Sequence, residues 1–265
     1  MTTNEQPTPA RQAAGVTAAL QGAHLRHEAP LATPARALAI GAHPDDVELG
    51  AGATLARWAD DGCAITILVA SDGRHGTWDT TIDGAELAAT RAREAARAAA
   101  LLGADLRLLG HPDGRLRDVA LLAWQIAAAI RACRPDVVLV HDPDHPGRLH
   151  PDHRAVATAT FQALADAREP TWQPGFHAAH RPRYLALYES PAPDHAEPTT
   201  DEAIARKAEL LACHESQYRT TYGVTAADDP TATLVARLRT AASRAAERLD
   251  AAIPLVEDFR LLDDL

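Results

Sequence analysis

Lysine is almost missing from this chain: Lys207 is the only one among 26 basic residues, which face 36 acidic ones for a formal net charge of -10. A surface so poor in cations argues against nucleic acid or an anionic membrane as the main partner. Long apolar runs are missing as well, and none approaches the roughly 20 residues that cross a bilayer. The opening MTTNEQPTPARQAAG lacks the charged-then-apolar pattern of a secretory leader. Cysteine is scarce: Cys63, Cys133 and Cys213 stand far apart and form no CxxC pair. They build neither a disulfide framework nor a thiolate zinc site, and they suit a reducing cytoplasm, where the chain is expected. These shortages set aside secreted, membrane and fibrous classes.

What remains is 265 residues, 46% of them apolar, enough for one large α/β domain with a buried core. Alanine makes up about a fifth of the chain, a bias that favours helix. Residues 1–34 hold Pro7, Pro9, Pro30 and Pro34 around a weak helical stretch at 15–25. They read as an N-terminal arm packed on the domain or on a neighbouring subunit, which makes a homo-oligomer one expected outcome. Residues 35–265 read as a single domain.

Within it, apolar runs alternate with amphipathic stretches. Strands are predicted near 35–42, 64–70, 106–109 and 137–140, and helices over 47–60, 85–102, 118–133 and 151–167. Short apolar runs without polar alternation suit buried parallel strands. Gly103 stands where a helix-ending glycine belongs, and Asp118 where a helix-starting cap belongs. The later chain is less regular, with strands predicted at 184–188 and 255–261 and helices at 200–216 and 231–251. The alternation predicts an open, mostly parallel sheet with helices on both faces. Ligands bind such sheets beyond the carboxyl ends of the strands.

Two loops at those ends mix imidazoles with carboxylates. Ala42-His43-Pro44-Asp45-Asp46 follows the first strand, and His150-Pro151-Asp152-His153 follows the fourth. A catalytic zinc site takes three ligands of His, Asp or Glu type and leaves one position open. His43, Asp46 and one histidine of the second cluster would fill that set, leaving Asp45 and a histidine for proton transfer. Adjacent side chains diverge, so Asp45 cannot easily share a metal with Asp46. A chain with 13 histidines offers an HxxH by chance, and aspartates before helices are common caps. Two such clusters, each directly after a predicted parallel strand, make metal-assisted hydrolysis the better reading.

The segment AIGAHPDDVELGAGATLARWADDG resembles the opening of the PIG-L/LmbE family of zinc-dependent de-N-acetylases, with its AHPDD motif. LLGHPDGRL, Gly103 after TRAREAARAAALL, and HPDHRAV are similar to the family's later blocks, and KAELLACHESQ is weakly similar to another. The resemblance spans about residues 37–159 and implies a Rossmann-like fold without a dinucleotide, since GxGxxG is missing from the first loop. It implies zinc held by His43, Asp46 and His153, with iron or cobalt as substitutes. It makes Asp45 the general base, His150 the histidine at the tetrahedral intermediate and leaving amine, and Asp152 the residue that orients and charge-tunes His150. A neighbouring carboxylate would favour the imidazolium and keep His150 able to donate.

Other positions carry weaker signals. Arg74, in the glycine-containing loop after the second strand, suits a hydroxyl-rich or anionic group, although that loop also reads as an ordinary turn. Asp113 matches a family position near substrate, and a plain Asp-Gly turn explains it almost as well. Arg148 stands where some family members carry a tyrosine that stabilises the oxyanion, so that role is lost, moved or filled by a cation here. His141, Asp142, Asp144 and His145 read as a solvated loop, with a second metal site as the alternative. His214 and Gln217 read as structural, and Trp58 and Trp124 as core.

The expected activity is removal of an acetyl or longer acyl group from the nitrogen of an amino sugar or its conjugate. Amidase action on a thiol or glycopeptide conjugate, phosphoester hydrolysis with paired metals, and a non-catalytic sugar-binding protein are the alternatives.

Overall fold

The computed structural model of the chain describes residues 29–145, 150–263 and 265. The expected helix at 15–25 and Arg148 lie outside them. Seven strands are described: β1 (Arg36–Gly41), β2 (Ala64–Ser71), β3 (Asp105–His111), β4 (Val137–His141), β5 (Tyr184–Tyr188), β6 (His195–Pro198) and β7 (Val256–Asp263). Six α-helices are found among the described residues: α1 (Asp46–Asp60), α2 (Gly84–Leu102), α3 (Val119–Cys133), α4 (Pro151–Arg168), α5 (Asp201–Ala212) and α6 (Pro230–Leu249). The strands form one sheet in the order β3-β2-β1-β4-β5-β7-β6. β1 to β5 run parallel, while β7 is antiparallel to both β5 and β6. This is the open, mostly parallel α/β architecture that the alternation of elements predicts.

The central strands are apolar on both sides because helices cover both faces. Leu38, Ile40, Val138 and Val140 pack with Ile126, Ile130 and Val156 of α3 and α4. Ala37, Ala39, Val137 and Leu139 point the other way, into Val47, Leu55 and Trp58 of α1 and Leu210 of α5. Successive residues thus feed opposite cores, as the two-residue strand period requires. Gly103 closes α2 in the left-handed region, with φ 76, and the Asp118 carboxylate accepts from the Leu121 amide at the start of α3. Trp58 is buried as expected, but Trp124 is 39% exposed. Leu122, Ile126 and Ile130 hold the buried stripe of α3, and Trp124 falls beside that stripe, against Phe176.

β1 is the turning point of the chain path. β2 and β3 add on one side of it, and the chain then crosses to β4 on the other. The loops after β1 and β4 diverge there and leave a crevice at the carboxyl ends of the strands. Close packing beneath it depends on Gly50, because a Cβ at that position of α1 would overlap the Tyr188 ring, whose hydroxyl donates to the Ile40 carbonyl at 2.7 Å. Gly50→Ala is therefore expected to lower unfolding stability by about 1–3 kcal/mol through overpacking, even though alanine favours helix by up to ~1 kcal/mol. A thermal melt that shows no loss would contradict this packing.

Candidate metal and catalytic site

The turn after β1 carries the first group of site residues. The Asp46 amide turns back to the His43 carbonyl, and the His43 amide donates to Asp46 Oδ2 at 2.7 Å. Between them Asp45 adopts φ 102, in the left-handed region that disfavours a side chain, and it makes no cap bond to α1. Such strain costs of order 1–3 kcal/mol and persists where surrounding contacts fix it. Here the fixing contacts are two: Arg91 Nη2 donates to Asp45 Oδ1 at 2.9 Å, and the Tyr222 hydroxyl donates to Oδ2 at 3.0 Å. Arg91 also donates to the carbonyls of Pro44 and Gly73, so one buried guanidinium ties α2 to two loops.

The second group enters from α4. His150 is the N-cap residue: its Nδ1 accepts from the Asp152 amide at 3.4 Å, and Pro151 occupies the first turn. His153, one turn on, is buried and reaches the first group. His153 Nε2 lies 3.2 Å from His43 Nδ1 and 3.6 Å from Asp46 Oδ1. Zinc–nitrogen bonds of about 2.0–2.1 Å place tetrahedral ligand atoms about 3.3 Å apart. His43 Nδ1 lies 3.4 Å from Asp46 Oδ2, so the three side chains expected from the sequence stand at spacings that one ion could span, and His153 also falls in two other potential metal-binding groups, with His43 and His150 and with Asp46 and His141.

Neighbouring groups hold these donors in place. His43 Nε2 faces Asp113 Oδ1 at 3.1 Å and Asp152 Oδ2 at 3.6 Å, which leaves Nδ1 for a metal. Metal-ligating histidines commonly have such a carboxylate behind them. Asp46 Oδ2 is taken by the His43 amide and by His141 Nε2 at 3.1 Å, which leaves Oδ1 facing His153. His141 also stacks on His153, with ring centroids 4.2 Å apart, and meets Glu189 Oε2 at 3.2 Å.

Several sequence readings change here. Asp152 does not orient His150 through its carboxylate. Its oxygens accept from the Gly114 and Leu116 amides and face His43, while the carboxylate nearest His150 Nε2 is Asp113, at 3.6 Å. Asp113 is buried behind His43 and holds the His75 amide at 3.0 Å, so it positions a donor and a loop. The Arg74 guanidinium is engaged by Asp72 at 2.8 Å, and the cavity is lined instead by His75 and Gly76 of the same loop. His141 and Asp142 are buried rather than solvated. Asp142 accepts from the Ser190 hydroxyl and the Asp144 amide, and Asp144 is 72% exposed in its side chain. Neither aspartate belongs to a potential metal-binding group among the described residues, which removes the support for a paired-metal phosphoesterase. His214 is fully buried beside Glu48, and Gln217 lines the cavity and donates to the Gly76 carbonyl.

Arg91, Tyr222 and Glu189, the partner of His141, were not singled out from the sequence. Arg91 carried a readable signal, since with Leu87, Glu94 and Ala98 it falls on the buried stripe of α2. Tyr222 sits in an irregular segment with no periodicity to mark it.

The charges follow from this geometry. Burial raises the Asp45 carboxyl above its ordinary value; Arg91 opposes the rise and Asp46 adds to it. Burial alone would also raise Asp46, yet His141, His43 and His153 hold it well below the usual carboxylate range. Burial would lower His43, but Asp113, Asp152 and Asp46 keep it well above an ordinary imidazole. His150 is lowered, first by burial and then by His43; Asp152 favours its charged form, as expected, but with Asp113 and Asp46 it does not offset them. Tyr222→Phe deletes a donor that stabilises the ionised Asp45. The acid limb of any activity that needs this carboxylate should move to higher pH in that variant, and an unmoved rate–pH profile would contradict the contact's role.

The cavity over these groups has a volume of about 230 Å³ and is lined by Asp45, His150, Gln217 and Thr221 as well as His43, Asp46 and His153. A group of side chains that could hold a metal ion, a carboxylate with a raised pKa and an imidazole at one small cavity are the parts that metal-assisted hydrolysis needs.

Residues 38–164 match the family model described as PIG-L: GlcNAc-PI de-N-acetylase. The chain is similar to a diacetylchitobiose deacetylase of Thermococcus kodakarensis, with 30% identity over 199 residues, covering 69% of this chain and 70% of the relative. It is similar to a 1D-myo-inositol 2-acetamido-2-deoxy-alpha-D-glucopyranoside deacetylase of Thermobifida fusca, with 35% identity over 197 residues, covering 62% and 68%. Among solved structures, the N,N'-diacetylchitobiose deacetylase of Pyrococcus horikoshii superposes with a TM-score of 0.77 and 25% identity, over 98% of this chain and 95% of that one.

Proposed function

The chain belongs to the PIG-L family of de-N-acetylases, and on that premise we propose that it hydrolyses the N-acetyl group of an amino sugar or amino-sugar conjugate, with Asp45 as proton acceptor and His150 as proton donor. The observation that carries this reading is the convergence of His43 Nδ1, Asp46 Oδ1 and His153 Nε2 beside Asp45 in one cavity. The relatives' named substrates all carry an acetylated amino sugar.

The three donors would hold zinc, with iron or cobalt as substitutes for a nitrogen and oxygen site. When bound, zinc polarises the amide carbonyl and makes water acidic enough to lose a proton near neutral pH. Asp45 takes that proton. Its left-handed backbone turns the carboxylate away from α1, and Arg91 and Tyr222 fix both oxygens, so it accepts without moving. In the neutral ring His150 accepts through Nδ1 from the Asp152 amide at 3.4 Å; it gives the departing nitrogen its Nε2 proton from the imidazolium form, in which Nδ1 is protonated and that cap bond is released. An amine leaves poorly until it is protonated, so the two groups act at opposite ends of one turnover. Asp113 and Asp152 hold His43, and His141 holds Asp46, throughout.

No helix among the described residues is long and apolar enough to cross a membrane. The free thiols of Cys63, Cys133 and Cys213 suit the reducing cytoplasm, where we place the protein.

The test is release of free amine and acetate from N-acetylglucosamine, N,N'-diacetylchitobiose and N-acetylglucosaminyl-inositol, with and without a chelator. Release that stops with chelator and returns with zinc is expected. No release from any of the three by zinc-loaded protein would overturn the reading.

A further inference from the structure

Beside the catalytic cavity lies a second one of about 370 Å³, bounded by Thr77, Trp78, Asp79, Ile82, Glu215 and Arg219. The two have no lining residue in common but are lined by neighbours in sequence. Gly76 lines the first and Thr77 the second, while Gln217 and Thr221 line the first and Ser216 and Thr220 the second. The same two segments, 75–79 and 215–221, therefore line both cavities, and the Gln217 hydrogen bond to the Gly76 carbonyl joins the segments at the boundary. The catalytic cavity alone, at about 230 Å³, is smaller than the roughly 300–1,000 Å³ usual for a small-molecule site. A substrate larger than the reacting acetamido sugar must extend beyond it, and the second cavity is the neighbouring space lined by the same segments.

The chemistry of the second cavity is specific. Trp78 is 73% exposed, the most exposed of the large hydrophobic side chains among the described residues, with Ile82 beside it at 43%. Its ring is presented on an ordered support. The Asp79 amide donates to Thr77 Oγ1 at 3.1 Å, Asp79 Oδ1 accepts from the Thr81 amide and hydroxyl, and Gln217 holds the Gly76 carbonyl. An exposed indole on a hydrogen-bonded loop offers a flat apolar face that a ligand can cover. Around it stand two carboxylates, Asp79 and Glu215, and two guanidinium groups, Arg219 and the Arg97 that pairs with Glu215 at 3.3 Å. The charges balance, so the rim offers donors and acceptors without a net field for a phosphate. A flat apolar face ringed by balanced polar groups matches an uncharged pyranose, whose C–H face is apolar and whose edge is hydroxylated.

We propose that this cavity is a second sugar subsite, with Trp78 as the platform for an uncharged saccharide ring linked to the acetylated one; the proposal rests on the reading of the first cavity as the de-N-acetylation site. Trp78 acts on selectivity for chain length and takes no part in the hydrolysis.

The experiment compares kcat/KM for N,N'-diacetylchitobiose with that for N-acetylglucosamine in the wild-type, Trp78→Ala and Trp78→Phe proteins. Loss of one apolar contact to substrate changes discrimination by about tenfold or more. The disaccharide-to-monosaccharide ratio should fall by that factor in Trp78→Ala, mainly through KM, and recover in part in Trp78→Phe. A ratio unchanged in Trp78→Ala overturns the proposal, and if that variant also sediments as a smaller species, Trp78 is a contact between copies of the chain.

A binding measurement separates the two levels. Titrating N,N'-diacetylchitobiose into Asp45→Asn protein should quench and blue-shift tryptophan emission, and the added Trp78→Ala change should abolish that signal. If no sugar is cleaved by the wild-type protein but the Trp78-dependent signal persists, the subsite stands and the hydrolytic reading falls. If sugars are cleaved but the signal is missing, the subsite falls alone.

Discussion

Asp45→Asn protein is expected to keep its metal and its fold while turnover drops by about 10²–10⁴, the range a positioned general base contributes. The substitution is close to isosteric, and asparagine tolerates the left-handed φ of this position at least as well as aspartate. Arg91 retains the carbonyls of Pro44 and Gly73, so its guanidinium is not left bare in the interior. What disappears is a carboxylate that can hold a proton. Burial lifts the wild-type Asp45 above the ordinary carboxylate value of 3.8, so activity should rise as pH climbs through that elevated value and fade below it. The asparagine variant should lose this acid limb. Metal content is read by elemental analysis and turnover by amine release. Full activity in the variant would remove Asp45 from the chemistry, and loss of metal together with activity would make it a ligand instead.

His153→Ala is expected to fail differently, by losing the metal. His43 Nδ1 and Asp46 Oδ1 would remain as two donors where three had stood 3.2 and 3.6 Å from one another through His153. Removing even an outer residue that orients a ligand costs about 10–100-fold in metal affinity, and removing a ligand should cost more. The deletion also opens space against His141, whose ring stacks on His153. Occupancy after dialysis should drop steeply, and activity should drop with it and return in part when zinc is supplied in excess. Unchanged zinc content would contradict the assignment of His153. Together the two variants divide the site: one keeps metal without turnover, and the other loses turnover because it loses metal.

Much of this arrangement was readable from the chain because it lies where sequence signals are strongest. β1, β2 and β4 are buried on both faces, so they appear as uninterrupted apolar runs; the first His/Asp cluster directly follows β1, and the second opens α4, the helix that comes after β4. The parallel pairing of those two strands then brings residues 110 positions apart into contact. Where polar groups replace apolar ones in the interior, the signal fades. β6 is four residues, HAEP, and was not anticipated: its buried side chains are His195 and Glu197, hydrogen-bonded at 2.7 Å, with Glu197 also bonded to Arg57. The helix expected to run to 216 stops at Ala212, and the turn that follows buries His214 against Glu48. The same logic hid part of the site. Glu189 and Tyr222 arrive from irregular segments, where neither helical nor strand period assigns a face, and only the folded chain shows that they touch His141 and Asp45. Asp152 was placed correctly in the cluster, but its carboxylate serves the Gly114–Leu116 turn and His43, a choice set by loop geometry rather than by nearness in sequence to His150.

The account stands or falls on where a metal binds. Crystals soaked in zinc and measured at the zinc absorption edge should show one strong anomalous peak per chain, within bonding distance of His43 Nδ1, Asp46 Oδ1 and His153 Nε2. A peak held instead by one of the other potential donor groups, His43 with His150 and His153, His43 with Asp113, His150 and Asp152, or Asp46 with His141 and His153, or no peak in this crevice at all, would contradict it.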